Sequence, residues 1–243
     1  MNLNTIYTAC LLSLFLACGT LQETMKSMED MSSSSESTVP STTEMASGLK
    51  EALIKGTEMG VDQLHQSGGF LNDAEVKIPF PEDLEKVKNT LIDMGLSSQV
   101  NKAVQSMNAA AEDAVIEAKP LFVNAIREMT IDDAKGILFG NDTAATTYLR
   151  GKTSAGLQAA FKPKIQTSLD KVNATKYWGD VIGTYNKIPL VTKVNEDLAG
   201  YVTDLAINGL FNQIAEEEAA IRDNPLERTS NLLKKVFGYA DGE

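Results

Sequence analysis

Histidine occurs once in this chain, cysteine twice, and no cluster of basic residues appears anywhere in it. A single histidine, His65, cannot build a multi-histidine metal site. Asp62 and His65 stand at i, i+3 like half of a di-iron helix motif, but such bundles need a second pair and no second histidine exists. Basic residues number 22 against 33 acidic ones, and the longest basic patch is Lys234-Lys235. With a net charge of −11 the chain lacks the positive field that a phosphate backbone demands, so nucleic-acid binding is excluded. Aromatics make up only 6%, which disfavours sheets, whereas frequent Ala, Leu and Met favour helices. Gly-rich phosphate loops, dinucleotide fingerprints and zinc signatures are missing too. No metal and no cofactor is expected.

The one long apolar run, Ile6 to Ala17, is too short to span a bilayer and of the right size for a signal-peptide core. It ends in Leu16-Ala17-Cys18-Gly19, which resembles the lipobox of bacterial lipoproteins, with Phe15 where that motif usually has Leu. The resemblance implies cleavage before Cys18 and lipidation of its thiol. Residues 1–17 are then a signal peptide, and Cys10 leaves with them. A mature chain without free thiols loses the commonest nucleophile–base pairs. Residues 18–43 are rich in Ser and Thr, interrupted by Pro40, and read as a flexible tether. Glu23, Glu29, Asp30 and Glu36 against Lys26 leave most of the negative charge on residues 44–243. An acidic domain gains nothing from anionic lipid, so the lipid at Cys18 is the expected membrane contact.

From Glu44 onward a helical period takes over. Met45, Leu49, Leu53, Gly56, Gly60 and Leu64 form one stripe, and its glycines allow another helix close approach; Ser67-Gly68-Gly69 is the stop. Val76, Ile78 and Phe80 alternate, but Pro79 and Pro81 restrict this stretch to an extended connector or a short edge strand. Helical patterns follow over Glu82–Met94, from Ser97 or Ser98 through Val115, and over Leu121–Met129 after Pro120. Thr130-Ile131-Asp132-Asp133 reads as a cap leading to Ile137 and Leu138. A helix capped at Asn141-Asp142 and a weaker one around Pro163 come next, then a short aromatic segment over Lys176–Tyr185. A long helix covers Val194–Arg222, and a terminal one is opened by Pro225 and ended by Gly238. The expected fold is all-α, an irregular multi-helix bundle with at most one extended segment near 76–80.

Asn108 and Glu112 share a face at i, i+4 on a helix that is apolar or small nearly all round (Ala103, Val104, Met107, Ala109–Ala111, Ala114, Val115). Such a helix is expected to be central, and a carboxylate on it buried. A buried carboxylate needs partners, and Arg127 and Arg222 are the candidates. Asn108, Glu112, Arg127 and Arg222 therefore form the candidate site, read first as a buried polar network and second as a ligand or catalytic site. Glu216-Glu217-Glu218 fan over about 200° of a helix and cannot converge on one ligand. Glu218 and Arg222, at i, i+4, are expected to pair on a solvated face.

Several of these segments together resemble the bacterial family called domain of unknown function 4197. They are Gly48–Leu53 (GLKEAL), Gly68-Gly69-Phe70, Met107–Glu112 and Ala125–Thr130. Further along come Asp133-Ala134 with Ile137-Leu138 and Gly140, then Ala145–Tyr148, Tyr201–Thr203, and Glu216–Glu218 with Ile221-Arg222 and Pro225. The resemblance covers roughly Leu49–Gly238. It implies exported, often lipid-anchored proteins, assigns no activity, and carries over no catalytic residue. The expectation is a lipid-anchored protein of the bacterial cell envelope, facing the periplasm. Its helical module binds a partner protein or an apolar ligand without catalysis. The alternative is a carboxylate-dependent enzyme using Glu112 with Asp132 or Asp133.

Overall fold

Burial of continuous apolar stripes builds this bundle, and its computed structural model describes residues 39–242 apart from 94, 96, 188, 190–192 and 194–196. The leader, Cys18 and most of the tether lie outside the described residues. Among the described residues the elements are α1 (Thr42–His65), α2 (Glu85–Asp93), α3 (Ser97–Ala114), α4 (Ala118–Glu128), α5 (Ile131–Leu138), α6 (Ala144–Lys171), α7 (Ala174–Tyr185), α8 (Leu198–Asp223) and α9 (Asn231–Asp241). No strand occurs among them, so the fold is an all-α multi-helix one. Residues Pro40–Glu243 form one compact unit.

The most extensive packing is α6 along α8 and α3, with α1 laid against α8; α4 and α5 touch both α1 and α6, and α9 closes on α1. The glycine stripe of α1 serves that arrangement. A Cβ on Gly60 would meet the side chain of Gln213 of α8 at 3.2 Å, and one on Gly48 would meet Val236 of α9 at 2.9 Å. At the centre Phe122 of α4 and Phe211 of α8 stack edge to face, with ring centroids 5.9 Å apart.

Several boundaries differ from the sequence pattern: α6 has Thr143 rather than Asn141-Asp142 at its cap, α8 is capped by Asp197 and begins at Leu198 rather than Val194, and three others have a clear physical reason. Pro163 does not divide its region: α6 runs unbroken for 28 residues through it. Leu149, Thr153, Leu157, Phe161, Ile165 and Leu169, four residues apart, are all buried. Burial of that ridge outweighs the roughly 3 kcal/mol that an interior proline costs. Gly238 does not end α9 but lies buried within it; the helix stops at Gly242, whose φ of 84° is the left-handed cap. Asn231 rather than Pro225 opens α9, because Pro225–Glu227 winds a separate 3₁₀ turn. Pro120 does restart a helix. A 3₁₀ turn at Val115–Glu117 separates α3 from α4, and Pro120 sits in the first turn of α4, where no donor is needed.

Helix α1 starts two residues before Glu44. Ser41 accepts a hydrogen bond from the Glu44 amide (3.2 Å), and the Glu44 carboxylate accepts one from the Ser41 amide (2.7 Å), a closed capping box. Lys235 of α9 pairs with the same carboxylate at 2.8 Å. These hydrogen bonds, from Lys235 first and Ser41 next, hold Glu44 down to about 2. Ser41→Ala is expected to lower stability by about 1 kcal/mol in urea melts. Since the folded pKa lies below the ordinary 4.5, the Glu44 contribution is complete above that pH and is lost as pH falls toward about 2. Lys235→Met should weaken that acid dependence in the same melts.

Candidate functional site

Asn108 and Glu112 are both buried, as their apolar helix dictates, and both serve the connector that follows α1. Asn108 behaves like a strand partner for residue 78. Its Oδ1 accepts from the Ile78 amide at 2.9 Å, and its Nδ2 donates to the Ile78 carbonyl at 2.8 Å. The extended segment near 76–80 is therefore met by side chains rather than by a strand, with the Tyr201 hydroxyl donating to the Pro79 carbonyl at 3.2 Å. One turn further along α3, a Glu112 carboxylate oxygen accepts from the amides of Phe70 (3.2 Å) and Leu71 (3.4 Å). The Glu112 carbonyl, near the C-terminus of α3, accepts from His65 Nδ1 at 2.7 Å. A carbonyl can only accept, so Nδ1 carries the proton. Asp62 is held by Lys119 at 2.6 Å. Among the described residues no group of three or more His, Cys, Asp and Glu side chains is arranged to hold a metal ion.

Neither arginine reaches Glu112. Arg127 is exposed at the end of α4, where its carbonyl accepts from Lys50 at 3.0 Å. Arg222 belongs to a different buried centre, built on Glu218. Glu218 is only 6% exposed, and its two oxygens accept from the amides of Ala145 (3.0 Å) and Thr146 (2.8 Å) and from the Thr146 hydroxyl (2.8 Å). These are unsatisfied donors of the first turn of α6, and a carboxylate also suits the positive end of that helix. Arg222 pairs with Glu218 at 2.9 Å, and its other donors reach the carbonyls of Ile137 (2.9 Å) and Leu138 (3.3 Å), where α5 ends. The expected pairing of Glu218 with Arg222 is present, but inside the bundle rather than on a solvated face. Across the three consecutive glutamates Glu216 is exposed, Glu217 half-buried and Glu218 buried, the fan that the helix geometry requires. Burial, the largest influence on it, pushes the Glu217 carboxyl up.

Sequence reasoning could have found Glu218. Phe211, Ile214, Glu218 and Ile221 fall 3, 4 and 3 residues apart, so Glu218 lies on the apolar stripe of α8. Arg228 carried no comparable signal. Its side chain is 2% exposed, its Nε and Nη2 donate to the Ile221 (3.2 Å) and Arg222 (2.7 Å) carbonyls at the end of α8, and it pairs with Asp241 at 2.6 Å. Asp133, offered as a partner for Glu112 in catalysis, instead closes the α5 capping box with Thr130, whose hydrogen bonds lower its pKa.

Among the described residues the surface carries open clefts, of which two have a volume of about 270 Å³ each. One lies between α4 and α6. The other lies where α5, α8 and α9 meet and is bordered by Phe139, Asp142, Asp223 and Asp241. Phe139 is 55% exposed there, edge to face with Tyr239 at 6.3 Å.

A family model described as a protein of unknown function (DUF4197) matches residues 39–238. The chain belongs to this family. The DUF4197 match begins just before the cap of α1 and ends within α9, so it takes in α1 to α8 and most of α9. Comparison with curated proteins and with solved structures finds no match to the chain.

The two buried carboxylates are expected to respond differently to substitution. Glu112→Ala leaves the Phe70 and Leu71 amides without an acceptor and should cost about 1–3 kcal/mol, with no coupling to Arg127 in a double-mutant cycle. Glu218→Ala strands the Arg222 charge and the α6 donors and should cost about 3–5 kcal/mol, with coupling to Arg222 above about 1 kcal/mol. Urea melts of the single and double variants check both.

Proposed function

We propose that the protein is an exported, lipid-anchored component of the bacterial cell envelope whose helical domain binds a ligand or partner without catalysing a reaction. The observation that carries the binding reading is that the interior carboxylates best suited to chemistry, Glu112 and Glu218, already accept backbone amide protons. Glu218 has both oxygens directed at fixed donors, which makes it a poor general base, and at Glu112 one oxygen is engaged in the same way by two amides. Asp133 is likewise engaged in its capping box. A buried apolar ligand finds little support: the apolar cavity among Leu49, Leu53 and Phe237 holds about 10 Å³, close to a single water. The open clefts and the exposed Phe139–Tyr239 pair favour recognition at the surface.

The anchoring half of the proposal rests on the apolar run ending at Leu16-Ala17-Cys18 and on the Ser/Thr-rich stretch after it. Among the described residues no helix is long and apolar enough to cross a membrane. Acyl chains on Cys18, two or more, give stable attachment. Intact-mass spectrometry of the membrane-extracted protein is expected to find Cys18 as an acylated N-terminus, and Cys18→Ser to remain uncleaved. An unmodified N-terminus at any other residue overturns the anchor.

A further inference from the structure

Glu128 and Lys152 carry opposite charges on facing helices of one cleft, yet they form no ion pair. Elsewhere on this surface such groups do meet, as in Lys119–Asp62 at 2.6 Å and Lys162–Asp197 at 2.5 Å. The cleft follows from the spacing of two helix faces. Leu121, Ala125 and Glu128 lie on one face of α4 at i, i+4 and i+7, and Tyr148, Lys152 and Gly156 on one face of α6 at i, i+4 and i+8. A Cβ on Gly156 would meet Leu121 at 3.3 Å, so the helices are close at that point and the space opens beyond it toward the charged residues.

Besides Thr153, whose hydroxyl donates to the Leu149 carbonyl of its own helix, four polar side chains line the cleft: Asn124, Glu128, Lys152 and Tyr148. None of these four is hydrogen-bonded to or ion-paired with another described residue. The Lys152 ammonium stands 5.5 Å from the centroid of the Tyr148 ring, a cation–π contact that fixes it at the cleft. Burial first, then Asp133 and Glu128, push the Tyr148 phenol up, so it remains a hydrogen-bond donor.

The lining thus offers three donors, of which one is a cation, and one anionic acceptor. A simple anion would be repelled by Glu128 and a simple cation by Lys152, whereas a ligand carrying both charges meets a partner at each end. We propose that the cleft between α4 and α6 binds a small zwitterion, an amino acid or short peptide. Lys152, Tyr148 and Asn124 take its carboxylate, and Glu128 takes its ammonium. The volume of about 270 Å³ lies just below the usual range of small-molecule sites, roughly 300–1,000 Å³, which suits a ligand of one or two residues. The inference rests on reading the domain as a binding module.

Isothermal titration of the full chain with L-alanyl-L-alanine, its N-acetyl and C-amide derivatives, and free alanine tests the site. The dipeptide is expected to bind. Lys152→Met should weaken it about tenfold or more while leaving the C-amide unaffected, and Glu128→Gln should do the same with the N-acetyl derivative spared. Both residues are exposed, so the melts of these variants should match the parent. Comparison with free alanine distinguishes a peptide site from an amino-acid site. No heat at millimolar dipeptide overturns the proposal, as does binding that neither substitution changes; the anchor at Cys18 is then still decided by mass. Release of alanine that depends on Lys152 and Glu128 would support the cleft as the ligand site and overturn the non-catalytic reading.

Discussion

One buried carboxylate fixes the relation of three helices. Glu218 projects from α8 into the first turn of α6, while its partner Arg222, one turn on, reaches the last carbonyls of α5. A helix that begins or ends inside a bundle leaves backbone groups that cannot reach water, and each such group costs about 1–3 kcal/mol if left unpaired. The pair resolves both ends at once, and the charges have the sign that each helix dipole favours: anion at an N-terminus, cation at a C-terminus. A hydrophobic pair of similar volume could fill the same space, but it would leave the α6 donors and the α5 carbonyls unsatisfied. This argues that the ion pair is retained for the backbone it completes and not for its own attraction, which desolvation largely offsets.

The same device recurs at three further places among the described residues. His65 donates to the end of α3, Arg228 to the end of α8, and Asn108 and Glu112 satisfy the connector between α1 and α2. In each case the side chain lies on one element and the backbone it completes on another, or on the segment just before it. Apolar stripes alone tolerate sliding of one helix along another, because a stripe meets another stripe at many registers. A carboxylate facing two amides does not tolerate it. The helices of this bundle are therefore ordered by hydrophobic burial and held in register by a small set of side chain to backbone bonds.

That division explains what was legible in the sequence. The stripe of α1 with its Gly68 stop, the Thr130–Asp133 cap and the apolar surroundings of Asn108 and Glu112 are local patterns, and local patterns can be read from spacing. Pro163 misleads because propensity is a local cost, while the ridge that overrides it gains its burial from α3 and α8, which are distant in sequence. The partners of Glu112 escaped for a related reason. Burial demands that its charge be satisfied, and an arginine is the obvious counter-charge, yet backbone amides meet the demand as well and leave no trace in residue identity. Arg222 is engaged as a buried group should be, with a different carboxylate. Helical periodicity identified the burial of Asn108 and Glu112 but was not followed to Glu218 and carried no signal for Arg228, and the pairing among interior groups depended on where chain ends fall in space.

The use of interior charge for architecture has a consequence for function. Glu112, Glu218, Arg222 and Arg228 are each held at or beyond two bonds to fixed backbone groups, so moving a proton onto or off any of them would loosen a helix end or a connector. Catalytic groups need the opposite condition, a protonation state that changes while the scaffold stays in place. Polar side chains with no hydrogen bond or ion pair to a described residue are found instead at the α4–α6 cleft, where the helix faces diverge and a change of partner disturbs no backbone bond. Groups free to exchange water for ligand lie at the surface, and groups that cannot be exchanged lie within. On the binding reading proposed above, the interior bonds hold the diverging faces of α4 and α6 at a constant spacing, and side chains with no hydrogen bond to give up lose little when a complementary ligand replaces water.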